Sequence, residues 1–235
     1  MTQASPGRPR SGAVVATVLA RRSPRGRYGL LLLVLIASYV LSAFNRPQWV
    51  ADLQIAFFLA VLLLALHASP LSRRLSRVAI AVSLAGSAAA LGAALTDTAA
   101  GLGLADLWRG ALLLVTVVLI VRRVLAQPTV TIQSIYGALS AYIVIGLMFA
   151  AFYAAIGHLG AAPYFFADDQ PANPQTFQYF SFTTLTTLGY GDFTAAGNSG
   201  RAIAVMEALI GQVFLATLVA RLVAAFRVPA EPPDK

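Results

Sequence analysis

The chain has 235 residues, of which 58% are hydrophobic, 11% are charged and none is cysteine. An ordinary soluble domain carries about 25% charged residues, so this composition excludes that class and predicts a membrane protein. The absence of cysteine also excludes disulfides and thiolate metal sites. The net charge of +8 could indicate a nucleic-acid-binding protein, but the placement of the arginines favours membrane topology as its cause.

Long uncharged stretches alternate along the chain with short segments that contain arginine or aspartate. A bilayer core needs about 20 helical residues, which these stretches approach or exceed. Four such stretches, together with two further apolar segments that contain a few charges, predict six spans, at about 28–44, 53–69, 78–96, 105–125, 130–157 and 200–226. The fourth span is the weakest, because Asp106 and Arg109 lie at its outer end and Arg122 and Arg123 at its inner end. A re-entrant or tilted segment is an alternative there.

Most arginines fall on one side of this six-span arrangement, namely in the N-terminal tail, between the second and third spans, and after the fourth and last spans. By the positive-inside rule, both termini are therefore cytoplasmic. Residues 1–27 contain few large apolar residues and are predicted to form a disordered, basic cytoplasmic tail. The stretch "GAVVATVLA" within it could also be the core of a signal peptide, but the span that follows argues against cleavage.

Pro128 divides the chain, because proline cannot continue a helix and is favoured at the start of a new one. In the second part, Asn173 and Pro174 predict a helix N-cap and first turn, opening a short helix over 174–186. Its length of about 20 Å is too short to cross a bilayer. A short helix followed by glycines and polar residues predicts a re-entrant loop, which is stable at membrane depth only where it lines water or is buried in protein.

The residues after this helix, "TLGYGD" from Thr187 to Asp192, closely resemble the selectivity-filter signature of tetrameric potassium channels. The usual form is Thr-Val-Gly-Tyr-Gly-Asp, so the chain departs from it at Leu188, whose side chain we expect to point into the protein. The resemblance covers the chain from Val130 onward. The first 125 residues do not resemble a voltage-sensor domain.

Combined with the six predicted spans, the resemblance implies an all-α membrane protein of six transmembrane helices, with a pore helix and filter between the fifth and sixth. One loop per chain cannot enclose a pore, so several chains must assemble, and the family implies a homotetramer. The permeant ion would be K+, with no other cofactor. The expected domains are a tail (1–27), a four-helix domain of unknown role (28–127), a pore domain (128–227) and a short cytoplasmic tail (228–235). The pore domain would comprise an outer helix (130–157), the pore helix (174–186), the filter (187–192) and an inner helix (200–226).

Backbone carbonyls in the filter can replace the hydration shell of K+. Gly189 and Gly191 permit the positive φ angles that aim successive carbonyls inward. The carbonyls of the filter residues, together with the Thr187 hydroxyl below them, would form the ion sites. The residues assigned to the filter are Thr187, Leu188, Gly189, Tyr190 and Gly191, and K+ would be bound at the first four.

Side chains around the filter are expected to support it. Tyr190 would point away from the ion and pack against Tyr179 and Phe180 of the pore helix. By its spacing, Tyr179 matches a pore-helix tryptophan of related channels, which implies a contact with Asp192. Three threonines are expected to end the pore helix: Thr183, Thr184 and Thr186. Their free carbonyls, at the negative end of the helix dipole, would face the cavity and favour a cation.

The last span holds further candidates for gating or for lining the pore. Gly211 lies where related channels have a glycine hinge, although close helix packing is an equal alternative. Glu207 is a carboxylate within the membrane, which we expect to form hydrogen bonds behind the filter more than to face the cavity. The spacing of the helix favours a pore-lining face made of Gln212, Leu215, Val219 and Val223. His67 and His158 are expected to be interfacial histidines, with pH sensing as the alternative.

The sequence thus predicts a passive, potassium-selective channel of a bacterial plasma (inner) membrane, and not an enzyme or a nucleic-acid-binding protein. No basic residue lies between Arg109 and Arg122, so steep voltage gating is not expected. Only nine residues, Arg227 to Lys235, follow the last span, which leaves no room there for a ligand-binding domain, and the gating stimulus is not indicated. The alternatives are a potassium-uptake transporter subunit and a membrane sensor or assembly partner with a structural pore loop.

Overall fold

The computed structural model describes residues 27–42, 73–96, 98–127, 130–160, 165–167 and 170–225. The described residues form an all-helical structure with one isolated antiparallel bridge, between Phe166 and Ala195. Its helices are α1 (Arg27–Ser42), α2 (Arg73–Ala94), α3 (Ala99–Leu125), α4 (Ile132–Leu159), α5 (Pro174–Leu185) and α6 (Asn198–Ala225). This architecture agrees with the predicted all-α membrane protein.

Three of these helices, α3, α4 and α6, are long and apolar enough to cross a membrane. The apolar parts of α1 and α2 are shorter, at 28–37 and 77–93. Several predictions concern residues that lie outside the described ones: the N-terminal tail at 1–26, the second span at 53–69, His67, Pro128 and the C-terminal tail at 228–235. The number of six spans therefore stays a prediction.

Helix α3 begins at Ala99 and not at about residue 105 as expected. Its N-cap is Thr98, whose side chain accepts a hydrogen bond from the Gly101 amide at 3.1 Å. Asp106 and Arg109 lie within the helix, one turn apart, and pair at 2.8 Å. Because each charge has a partner on the same helix face, both are accommodated inside a continuous helix. The alternative of a re-entrant segment is therefore wrong for this region.

Helices α3 and α4 pack against each other in antiparallel orientation along most of their length. The close contacts are made by glycines: Gly103 lies against Leu159, Gly110 against Phe152, and Gly137 against Val124. A Cβ atom at Gly103 would come within 2.4 Å of Leu159 Cγ, and small residues at such crossings let helix backbones approach closely. Helix α3 is thereby fixed to α4 of the same chain.

The core lies around α4. In the apolar 18-residue stretch of α4, 72% of the residues are buried, whereas only 11% are buried in the corresponding stretch of α6. The short helix α5 lies between these two and contacts both. An aromatic cluster surrounds the outer part of α5, with Phe165 contacting Tyr153, Phe177 and Phe180 at ring-centroid distances of 5.2–6.0 Å. Helix α6 therefore leaves most of its surface uncovered within one chain.

Candidate functional site

The N-terminus of α5 is formed as the sequence predicts. Asn173 is the N-cap, Pro174 is the first helical residue, and the Asn173 side chain accepts from the Thr176 amide at 3.0 Å. The Thr176 hydroxyl in turn accepts from the Asn173 amide, which completes a capping box. The helix ends at Leu185 with Thr186 as its C-cap, one residue before the predicted end.

After α5 the backbone folds back onto the last turn of the helix. The Leu188 and Gly189 amides both donate to the Thr183 carbonyl, at 2.8 and 3.2 Å, and the Thr187 amide donates to the Thr184 carbonyl at 3.0 Å. The expectation that the carbonyls at this helix end face a cavity is therefore wrong for Thr183 and Thr184, because the following residues occupy them. The segment that carries "TLGYG" is thus attached directly to α5.

The backbone of this segment alternates in handedness. Among the described residues, positive φ occurs at Thr187 (58°), Gly189 (54°) and Gly191 (79°). The positive φ of the two glycines was predicted, whereas that of Thr187 was not. In a trans peptide the carbonyl points opposite to the amide hydrogen. Since the Leu188 and Gly189 amides point at α5, the carbonyls of Thr187 and Leu188 point away from it, towards the exposed side.

Two side chains of the segment lie differently from the prediction. Leu188 is 54% exposed and Tyr190 is 68% exposed. The Tyr179 ring contacts Phe193 at 5.7 Å, and the Phe180 ring contacts Tyr153 at 5.0 Å. The expected packing of Tyr190 on Tyr179 and Phe180 is not made among the described residues of one chain. The described residues of one chain leave both Leu188 and Tyr190 exposed.

The predicted contact between Tyr179 and Asp192 is present. The Tyr179 hydroxyl donates to Asp192 Oδ2 at 2.7 Å. This hydrogen bond to the carboxylate raises the pKa of Tyr179 to about 12, so the hydroxyl keeps its proton at neutral pH. The Gln170 side chain also donates to the Asp192 carbonyl. Asp192 therefore links the end of the "TLGYGD" segment to α5 and to the residues that precede α5.

Glu207 lies on the side of α6 that faces α4 and α5. Its side chain is fully buried and accepts from the Tyr153 hydroxyl at 2.6 Å. Its other carboxyl oxygen lies 2.5 Å from the Ser181 hydroxyl of α5. The structure thus agrees with the expectation that Glu207 forms hydrogen bonds behind the "TLGYGD" segment. The roles of Ser181 and Tyr153 were not predicted, because neither residue type is unusual on a helix of this kind.

Gly211 of α6 packs against the C-terminal end of α5. A Cβ atom at this position would come within 2.5 Å of the Leu185 carbonyl oxygen, which supports the close-packing alternative. Next to it, Gln212 Nε2 lies 3.4 Å from Thr187 Oγ1. The proposed pore-lining face consists of Gln212, Val219 and Val223, which are exposed within one chain, and Leu215, which is partly buried.

Arg221 was missed by the sequence analysis. From the C-terminal half of α6 its guanidinium donates to the Val124 carbonyl at 2.6 Å and to the Gln127 carbonyl at 2.5 Å. The signal that could have found it is an ionisable residue inside a predicted span, which must have a polar partner. Arg221 thus connects α6 to the C-terminal end of α3.

His158 is not an isolated interfacial histidine as expected. Its Nδ1 lies 2.9 Å from Asp106 Oδ2, and the other Asp106 oxygen accepts from Arg109. Asp106 is 6% exposed. These three side chains connect the N-terminal part of α3 to the C-terminal end of α4. The part of the chain that the structure describes contains no group of three or more His, Cys, Asp or Glu residues that could hold a metal ion.

Comparison with known proteins supports a channel. Residues 141–228 match a family model described as "Ion channel", and this range includes α5, the "TLGYGD" segment and α6. The match supports a membrane protein of the pore-loop ion-channel class, a class that is not enzymatic and that functions with ions in a lipid bilayer. No curated protein and no solved structure matches the chain significantly.

Proposed function

We propose that the chain is one subunit of a homotetrameric, potassium-selective channel that conducts K+ passively across a bacterial plasma membrane. The observation that carries this proposal is the backbone of Thr187–Gly191. The sign of φ alternates along this segment, and the Leu188 and Gly189 amides donate hydrogen bonds to the Thr183 carbonyl. As a result, the carbonyl oxygens of Thr187 and Leu188 are directed away from α5. A ring of such carbonyls from four chains can replace the hydration shell of a K+ ion.

The ion sites are formed by the carbonyls of Thr187, Leu188, Gly189 and Tyr190. Helix α5 ends at this segment, so the negative end of its dipole favours a cation there. The Thr187 hydroxyl, which lies near Gln212 Nε2, faces the inner end of the filter. Asp192 and Tyr179 hold the outer end through their hydrogen bond.

Assembly into a tetramer follows from the single filter segment of each chain. The exposure of Leu188 and Tyr190 and the uncovered surface of α6 support this assembly. Neighbouring chains would cover these residues, with Tyr190 packed between adjacent subunits. The α6 helices would then surround the pore with Gln212, Leu215, Val219 and Val223, below the filter.

The remaining parts of the chain fit a multi-pass protein with both termini in the cytoplasm. Within the expected domain 28–127, helix α3 supports the pore domain at 128–227 through its long contact with α4. K+ is the permeant ion and no other cofactor is required.

The test is ion flux into liposomes that contain the purified full-length protein, with protein-free liposomes as the control. The proposal predicts rapid K+ movement down its gradient, which is not coupled to another ion. Saturable, ion-coupled uptake would indicate a transporter instead. Correctly assembled protein without any K+ flux would indicate a sensor or an assembly partner.

A further inference from the structure

Behind the filter, a buried group of hydrogen bonds joins three helices. We call it the Glu207 network, and it consists of the Glu207 carboxyl group of α6, the Tyr153 hydroxyl of α4, the Ser181 hydroxyl of α5 and the Gly146 carbonyl of α4. The three side chains are fully buried, each with 0% exposure. Three contacts hold it together: Tyr153 to Glu207 Oε2 at 2.6 Å, Ser181 to Glu207 Oε1 at 2.5 Å, and Ser181 to Gly146 O at 2.7 Å.

These three contacts need three protons. The Tyr153 hydroxyl has one and the Ser181 hydroxyl has one, while the Gly146 carbonyl can only accept. Ser181 cannot donate fully to both Gly146 and Glu207 with a single proton. The third proton must therefore be carried by the Glu207 carboxyl group.

We infer that Glu207 is a neutral carboxylic acid in the folded protein. Tyr153 then donates to Glu207 Oε2, Glu207 Oε1 donates its own proton to Ser181, and Ser181 donates to Gly146. No basic side chain among the described residues pairs with Glu207. The other titratable group close to it is Tyr142, whose hydroxyl donates to the Leu185 carbonyl. A fully buried carboxylate without an opposite charge is strongly unfavourable, whereas the neutral acid satisfies every group of the network.

The network makes Glu207 a positioning residue for the filter, a role that rests on the proposed function. Ser181 lies two residues before Thr183, whose carbonyl accepts from the Leu188 and Gly189 amides. Fixing Ser181 between α4 and α6 therefore fixes the turn of α5 that holds the filter backbone. Because Glu207 is neutral, the Glu207 network forms without placing a negative charge beside the ion path.

The direct test is infrared difference spectroscopy of the full-length protein in lipid at neutral pH. The wild-type spectrum minus that of Glu207→Gln should contain one band from a protonated carboxylic acid. In Ser181→Ala this band should persist but shift, because the proton of Glu207 loses its acceptor. A difference spectrum that shows only carboxylate bands would overturn the inference. Since no ion flux enters this measurement, a channel that carries the band but conducts no K+ would contradict only the proposed function.

The positioning role is tested by comparing two substitutions of similar size. Glutamine reproduces the neutral acid, because its amide group can donate to Ser181 and its oxygen can accept from Tyr153. Glu207→Gln should therefore keep the wild-type melting temperature and most of the flux. Glu207→Leu should melt at least about 5 °C lower and lose flux. A glutamine variant as impaired as the leucine variant would show that the negative charge is needed, and would contradict the neutral acid.

Discussion

At the scale of single residues, the backbone of the proposed filter, Thr187–Gly191, combines predictable and unpredictable features. The positive φ of Gly189 and Gly191 follows from their residue type, because glycine adopts such conformations without strain. Thr187, with a φ of 58°, was not predictable, because a left-handed conformation costs a non-glycine residue roughly 1–2 kcal/mol. It persists because the amides of the next two residues are held by the Thr183 carbonyl.

Gly191→Asp should abolish K+ conduction or reduce the discrimination between K+ and Na+. Gly191 has a φ of 79°, so any side chain there strains the backbone, and an aspartate would add a second charge beside Asp192 in every subunit. Gly197→Asp is the matched control, since it adds the same charge after the filter at a glycine where a Cβ has only one neighbour within 4 Å, at 3.9 Å. Reversal potentials of both variants provide the measurement. Equal selectivity of Gly191→Asp and wild type would mean that the filter is misassigned.

At the scale of helices, the sequence predicted the features with local causes. The cap and first turn of α5 depend on Asn173 and Pro174, which are adjacent in sequence. The predicted start of α3, at about residue 105, was wrong because Asp106 and Arg109 were interpreted as charges that end a span, whereas the helix begins at Ala99. Their partners, each other and His158, come partly from another helix and cannot be read from local sequence. The same holds for Arg221, whose acceptors lie 94 and 97 residues away.

Arg221→Gln should lower the free energy of unfolding by about 1.5–3 kcal/mol, because two hydrogen bonds from a charged donor to α3 are weakened or lost. The matched control is Arg122→Gln, which removes an exposed arginine near the same end of α3 and should have little effect. Equilibrium unfolding of the reconstituted protein measures both. Similar losses for the two variants would show that the contact between α6 and α3 contributes little.

Helix α3 should not act as a steep voltage sensor. Moving one full charge across the membrane yields only about 2.3 kcal/mol per 100 mV, so steep gating needs about three or four arginines per subunit. Arg109 is paired with Asp106 on the same helix, so movement of this pair would transfer almost no net charge. The other two arginines of α3, Arg122 and Arg123, both lie in its last turn and are fewer than such a sensor needs. Single-channel recordings between about −100 and +100 mV should therefore show that the open probability changes only slightly with voltage. A steep sigmoid would contradict this prediction.

At the scale of the whole molecule, the sequence predicted an all-helical membrane protein with a short helix before "TLGYGD". It could not predict which surfaces of one chain stay uncovered. Leu188 and Tyr190 were expected to be packed, yet they are exposed within one chain. That expectation did not consider which chain supplies the covering surface; in the proposed tetramer, neighbouring subunits would supply it.

The assembled protein should contain four chains. Mass measurement of the detergent-solubilised protein should give about four times the 24.7 kDa of one chain, because four filter segments are needed to complete each carbonyl ring. A population of monomers or trimers alone would count against the proposed channel.

The central claim is potassium selectivity through the backbone of residues 187–191. The most direct measurement is the reversal potential of the wild-type protein in a planar bilayer, with K+ on one side and an equal concentration of Na+ on the other. Each tenfold preference for K+ shifts the reversal potential by about 59 mV, so the carbonyl filter predicts a shift of at least that size towards the potassium equilibrium potential. A reversal potential close to zero, from a protein that conducts, would contradict the claim.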